Sequence, residues 1–409
     1  MQFRTDAGLL PASHISRRDA LAGAGALAIA LAGPSRLLAA DPFRIGWVRP
    51  TTGRLVSSFA PLYVSGQVAI KEINAAGGIL GRQIVPVEED DEGSPAKEPA
   101  VVKKLQDAGV TVICGPTGSS QVLASLASST PAKIIQGGIA NGVENSDGEK
   151  YPYHYQCGFT TVQEATRFVD YLVKTLGKTK IGILQENTGF GEQGGQATLE
   201  LLKARGLAPA SHQVYPIAAP DLKAYITNIK NAGADAVIFW VGTLPAAGMA
   251  LRAMGELNWS PPIVGHSYLL ADALFDLAPI ESLRNVSAAY YRPFTYTDTE
   301  APAERQRDFA RKIQEYPETK RLEAIVPQAT LYDFLHLVKM AAEAEKSLDP
   351  EAIKRRLDQT TGYKGLLGTF SFTPKNHAGL AIEDVVLAAV ASGRDAKAQG
   401  SFRERAKGM

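Results

Sequence analysis

The sequence predicts an α/β fold of two lobes, each built from parallel strand and helix units. Two observations carry this reading. Short apolar runs alternate with longer segments of helical period, the pattern of parallel strands joined by crossover helices. One unit is also written twice at a distance. Ala108-Gly109 leads through Val110–Ile113 into Gly115-Pro116-Thr117-Gly118-Ser119-Ser120, and Ala232-Gly233 leads through Ala236–Ile238 into Trp240-Val241-Gly242-Thr243-Leu244-Pro245. Each is an Ala-Gly cap, a buried strand, a loop of small and hydroxyl residues, and then a helix.

Residues 1–40 read as a twin-arginine signal peptide. Arg17-Arg18 stands at the foot of the Gly/Ala-rich run Ala20–Ala32, and Leu38-Ala39-Ala40 offers a cleavage site near Ala40. The run is too short to span a bilayer as a helix, so a periplasmic location is expected. The leader carries four arginines against two aspartates, so its removal takes the formal charge from +1 to −1. A near-neutral chain has no electrostatic footprint for nucleic acid.

After the leader, Phe43–Val48 reads as a strand, and Leu62, Ala69, Ile70 and Ile73 form the apolar stripe of the next helix. Gly77 or Gly78 ends that helix in a left-handed cap. Further strands are expected at Ile84–Glu88, Val110–Cys114 and Lys133–Gln136, then at Lys180–Leu184, Gln213–Tyr215, Ala236–Trp240 and Pro262–Gly265. The aromatic run Ala288–Phe294 reads as a return to the first lobe, a helix over 328–346 rejoins it, and Gly368–Thr373 crosses again. The expected division is residues 41–160 plus 290–369 for lobe one and 161–289 plus 370–392 for lobe two. Residues 393–409, charged and small, are expected to form a flexible tail. Cys114 and Cys157 read as buried free thiols rather than a disulfide. Neither lies in a metal-binding pattern, and no metal is expected.

Ligands of open α/β sheets settle outside the carboxyl ends of the strands, near helix N-termini. Ser119 and Ser120 would offer hydroxyls and free backbone N–H groups to a carboxylate there, or serve only as an N-cap. Gly189-Phe190-Gly191-Glu192-Gln193-Gly194 fits the dinucleotide pattern G-x-G-x-x-G. Residues Gln185 to Thr188 push it away from its strand, and the following strand ends at Tyr215 without the acid a ribose needs. No hydrolase elbow, zinc-protease helix or phosphate-loop lysine motif occurs. The reading is therefore a binding protein with no cofactor and no catalysis.

These residues resemble the type I periplasmic binding proteins of the leucine/isoleucine/valine-binding family, from Phe43 to about Val390. The most specific stretch is Glu72-Ile73-Asn74-Ala75-Ala76-Gly77-Gly78-Ile79-Leu80-Gly81, supported by Gly115–Ser120 and Gly189–Glu192. The resemblance implies two Rossmann-like lobes with parallel central sheets joined by three crossovers. It also implies hinge closure on a small carboxylate and delivery to the permease of an ABC importer in the inner membrane. A monomer is expected.

Carried across, the resemblance places Ser119 on the ligand carboxylate, with Thr117 and Ser120 in the same loop. Gly138, Ile139 and Asn141 fall in the next loop of lobe one, and Phe190 and Thr243 replace two tyrosines of lobe two. Ser267 stands where amino-acid binders place an acid against the ligand's ammonium group. A serine cannot supply that charge, so the expected ligand is an aromatic or branched organic acid unless another acid enters the cleft. Phe59, Trp240, Tyr268, Tyr290 and Tyr291 are candidates to stack on a ring, with core packing favoured for Trp240 and Tyr291. Two rival readings are an exported NAD(P)-dependent oxidoreductase and the ligand-sensing module of a signalling receptor.

Overall fold

The computed structural model describes Gln2 and residues 41–409 apart from Arg54 and residues 321–328. The leader reading on residues 1–40 lies outside the described residues, as does the start of the helix expected at 328. Among the described residues no helix is long and apolar enough to cross a membrane.

Lobe one opens with strands β1 (Phe43–Val48), β2 (Ile84–Glu89), β3 (Val112–Thr117) and β4 (Ile135–Ile139), all parallel, in the order β2-β1-β3-β4. β1 and β3 lie in the middle and bury almost every side chain, which is why they read as apolar runs. Helices α1 (Val64–Ala75), α2 (Glu98–Asp107) and α3 (Ser119–Ser129) connect them. α1 lays Val64, Val68, Ala69 and Ile73 on the sheet. Its Gly66 lets the indole of Trp47 approach to 2.6 Å of where a Cβ would stand. Gly77 and Gly78 both take positive φ, and the Gly78 N–H closes the helix onto the Ile73 carbonyl at 2.8 Å.

Lobe two begins at α4 (Thr161–Asp170), whose first turn is closed by a capping box of Thr160 and Gln163. There follow β5 (Ile181–Glu186), α5 (Gly189–Lys203), β6 (Ser211–Tyr215), α6 (Lys223–Asn231), β7 (Ala236–Trp240), α7 (Leu244–Glu256), β8 (Ile263–Gly265) and β9 (Val286–Tyr291). They form a parallel sheet in the order β9-β8-β7-β5-β6. The glycines of the G-x-G-x-x-G stretch have a packing role. A Cβ on Gly191 would stand 2.0 Å from the Glu186 carbonyl oxygen, and one on Gly194 would stand 2.3 Å from the Trp240 indole. They bring α5 down onto β5 and β7.

The chain crosses between lobes three times: before α4, after β9, and ahead of the last strand of the second sheet. After β9 come β10 (Thr295–Tyr296), α8 (Glu304–Gln314), α9 (Thr330–Glu345) and α10 (Pro350–Leu357). α8 and α9 pack on α1. A short hairpin of β11 (Tyr363–Lys364) and β12 (Thr369–Phe370) precedes β13 (Val385–Ala389), which joins the second sheet antiparallel to β9.

Three expectations are corrected. Tyr290 and Tyr291 do not open the return; they end β9, inside the second sheet. Residues 370–380 do not join lobe two, because Phe372 and His377 pack on the Tyr155 ring beside β4. The end of the chain is not a free tail: β14 (Arg403–Glu404) pairs with β10. Phe402 stacks on Phe294, and the fully buried Arg403 is ion-paired with Asp272 and donates to the Leu270 carbonyl at 2.9 Å. Cys114 and Cys157 are buried free thiols.

Candidate functional site

A cleft lies where the carboxyl ends of both sheets meet. Its lobe-one wall is built on the turn from β3 into α3. The N-cap of α3 is Gly118, at φ 102°, and has no side chain to close the helix start. Ser119 and Ser120 are the first two residues of the helix and not its cap. The first N–H groups of any α-helix lack intrahelical acceptors, so this start presents backbone donors and the positive end of the dipole to the cleft. The serine hydroxyls hold the loops around it. Ser119 Oγ accepts from the Gly142 N–H at 2.9 Å, and Ser120 Oγ accepts from the Gly189 N–H of lobe two at 3.0 Å. Gln121 is fixed by its amide, which donates to the Gly93 carbonyl at 2.8 Å. Thr117 Oγ1 donates to Tyr63 Oη at 3.1 Å, and Asn141 Nδ2 donates to the Phe159 carbonyl at 2.7 Å.

The lobe-two wall carries an acid. Glu186 ends β5, and its carboxylate accepts from Thr188 Oγ1 at 2.6 Å, the Gly242 N–H at 2.8 Å and Tyr215 Oη at 3.4 Å. Burial pushes its pKa up, and these donors act against that. Thr188 also caps α5 by accepting from the Gly191 N–H at 3.3 Å. Beside Glu186, the His266 ring is turned by Glu164, with Nδ1 to Oε1 at 2.7 Å, and packs against Phe190 with ring centroids 4.9 Å apart. Desolvation raises the pKa of the fully buried Glu164, and His266 lowers it. Tyr268 crosses the cleft and donates to the Ser58 carbonyl at 3.1 Å.

Of the residues expected at the site, Phe59, Thr117, Ser119, Ser120, Ile139, Asn141, Phe190 and Tyr268 line this cleft. Gly138, Thr243 and Ser267 do not. Gly138 is inside β4 with its N–H on His154 Nε2 at 3.3 Å. Thr243 is the residue before α7, and its neighbour Gly242 takes the place in the wall. Ser267 is fully buried behind His266, 3.3 Å from Nε2. Trp240 is core, its Nε1–H donating to Thr198 Oγ1 at 3.0 Å, and Tyr291 stacks on Phe159.

The wall also holds residues that sequence reasoning missed, among them Gln121, Glu186, Thr188 and His266, with Leu55, Leu62 and Ile217 on its apolar side. Glu186 stands at a strand's carboxyl end, the place where ligands are sought. The apolar run that marks this strand stops at Leu184, two residues short of it. The acid that Ser267 cannot supply is thus present in the cleft. Among the described residues no group of His, Cys, Asp or Glu is arranged to hold a metal ion.

Two α/β lobes closing on a cleft between strand ends, with polar groups converging from both sides, define a bilobed receptor for small molecules. The chain matches the family model of the periplasmic binding proteins over residues 42–395 and belongs to that family. It is 25% identical over 340 residues to the Leu/Ile/Val-binding protein homolog 1 of Brucella abortus, covering 80% of this chain and 85% of that protein. Among solved structures, it resembles the branched-chain amino acid transporter substrate-binding protein LivJ from Streptococcus pneumoniae in complex with isoleucine. That match has a TM-score of 0.71 and 20% identity, covering 89% of this chain and 99% of that one. A solute-binding protein of an ABC transporter from Rhodopseudomonas palustris, in complex with 3,4-dihydroxy benzoic acid, aligns with a TM-score of 0.70 and 20% identity. That alignment covers 85% of this chain and 92% of the other. These likenesses show the type I periplasmic binding protein fold.

Proposed function

We propose that this protein is the substrate-binding component of an ABC importer and captures, without transforming it, a small carboxylate with an apolar body. The observation that carries the reading is the uncapped start of α3 in the interlobe cleft, a preformed anion site facing an apolar wall of Leu55, Phe59, Leu62 and Phe190. Isoleucine and 3,4-dihydroxy benzoic acid, bound by two structural relatives, share a carboxylate on an apolar body. The ligand bridges both lobes and so favours the closed state through its differential affinity. Residues 1–40 direct the folded chain through the twin-arginine route to the periplasm, where a monomer delivers its ligand to an inner-membrane permease.

A thermal-shift screen of the purified protein against amino acids, aromatic acids, short aliphatic acids, amides and urea tests this. A true ligand at about 100 times its Kd adds roughly 2.7 kcal/mol of apparent stability. Stabilisation by carboxylates and not by their amides is the expected result. Stabilisation by urea or amides alone would refute it. Replacing both leader arginines (R17K with R18K) should leave the precursor in the cytoplasm, as read by fractionation.

A further inference from the structure

Away from the cleft, Arg292 and Arg405 line one groove together with Thr295 and with Ala301 to Ala303, the residues that lead into α8. The N-cap of α8 is Ala303, which has no side chain to close the helix start. Its first N–H groups therefore lack intrahelical acceptors, and the positive end of the dipole meets the two guanidinium groups. Arg405 is buried and fixed, its side chain 5% exposed, with Nε donating to Thr295 Oγ1 at 3.1 Å and Nη2 paired with Glu300 at 2.6 Å. Arg292 is half-buried, and its Nε donates to the Glu383 carbonyl at 3.0 Å, which ties the second crossover to the third.

The charges around the groove do not balance. Arginines already hold the carboxylates at its rim: Glu300 pairs with Arg405, and Glu304 pairs with Arg307 at 2.8 Å and with Arg311 at 2.9 Å. Among the described residues Arg292 has only the Glu383 carbonyl, and nearby Arg167 has only the Ile382 carbonyl, at 2.7 Å. Burial first, then the charge of Arg405, lowers the pKa of Arg292; Arg167 adds to this, and Glu300 and Asp384 act against it. The Asp384 carboxylate is turned to the Thr369 N–H at 2.7 Å. Three guanidinium groups thus share two carboxylates, and one more anion would relieve their repulsion.

We propose that this groove binds a small inorganic oxyanion of the sulfate or phosphate class, held by Arg292, Arg405 and the start of α8. Guanidinium groups offer planar donor forks that match such anions, and uncapped helix starts bind them. None of these residues lines the interlobe cleft, so the site is independent of the transported ligand and of the reading given above.

Melting curves in sulfate and in inorganic phosphate, each against chloride at equal ionic strength, test the proposal. At about 10 mM, where general exclusion effects of such salts are small, at least one of the two should raise Tm by roughly 1–2 °C, and the rise should saturate with concentration. Two substitutions should abolish it. Arg292→Ala removes the guanidinium that lacks a carboxylate, at a half-buried position where the fold should persist. Ala303→Asp puts a carboxylate at the exposed N-cap, where it closes α8 and takes the anion's place. In that variant Tm without oxyanion should hold or increase while the response disappears. No rise above chloride, a rise that never saturates, or a saturable rise that survives either substitution would overturn the site.

Discussion

Gly118 and Glu98 show how single residues set the properties of lobe one. Gly118 has φ 102°, which demands glycine, and a Cβ there would stand 2.3 Å from Gln121 Oε1 and push that amide aside. Gly118→Ala should displace Gln121, distort the start of α3 and weaken ligand binding at least tenfold, measurable by calorimetry. Glu98 governs stability instead. It is fully buried beside the buried Asp91 carboxylate, and desolvation first, Asp91 second, push its pKa up to about 9. Between the unfolded value near 4.5 and that raised value, the folded chain holds a proton that the unfolded chain has lost. Folding stability therefore falls as pH rises through this window. Glu98→Gln imitates the protonated acid and needs no proton, so it should stabilise by on the order of 2 kcal/mol at pH 8 and by little at pH 5. Melting curves at the two pH values check the sign; equal shifts at both would contradict it.

At the level of elements, the site is two helix starts facing each other, α3 and α5, tied by the Ser120 hydroxyl and the Gly189 N–H. Ser119→Ala removes the acceptor of the Gly142 N–H, and losing such a bond costs about 1 kcal/mol. Its melting temperature should drop by a few degrees at most while affinity for a carboxylate falls about tenfold; unchanged affinity would remove Ser119 from the anion site. The buried middles of these elements were legible, since Val112–Cys114 and Ala236–Trp240 are apolar runs on both faces. Their ends were not. β3 continues through Thr117 and β5 through Glu186, because the hydrogen-bonded ladder goes on after the apolar signal stops. The last residues of these extensions, Thr117 and Glu186, are the ones that reach the cleft. Ser119 and Ser120 could be read because they open a helix after a strand, whereas Phe190 was implied only by the family resemblance. His266 could not, since its place in the wall depends on Glu164, 102 residues away.

Over the whole molecule, the final residues show most clearly what local composition hides. Residues 393–409 look like a solvated tail because charge and small side chains dominate, yet each anchor there is a long-range contact. Arg403 reaches Asp272 and the Leu270 carbonyl in lobe two, Arg405 pairs with Glu300 at 2.6 Å, and the Ala406 N–H donates to the Leu387 carbonyl at 2.8 Å. β14 thereby sews the crossover strand β10 to the second sheet. The contacts across the cleft between the lobes are separate ones, Ser120 to Gly189, the Glu144 N–H to Gln193 Oε1 at 3.0 Å, and Tyr268 to Ser58. Under the proposed hinge closure, stability and closure should therefore respond to different substitutions. Removing the buried Arg403, whose partner Asp272 is partly exposed, forfeits charge-assisted hydrogen bonds worth about 1.5–3 kcal/mol, which lowers Tm by roughly a few °C in a chain of this size. Arg403→Ala should show that loss while keeping ligand affinity within threefold at 25 °C, where the protein stays folded. Ser120→Ala should do the reverse, leaving Tm nearly unchanged and speeding ligand release by destabilising the closed state. Stopped-flow release rates beside melting curves for both variants decide the matter. A coupled loss in each would mean that the C-terminal anchor and the cleft form one cooperative unit.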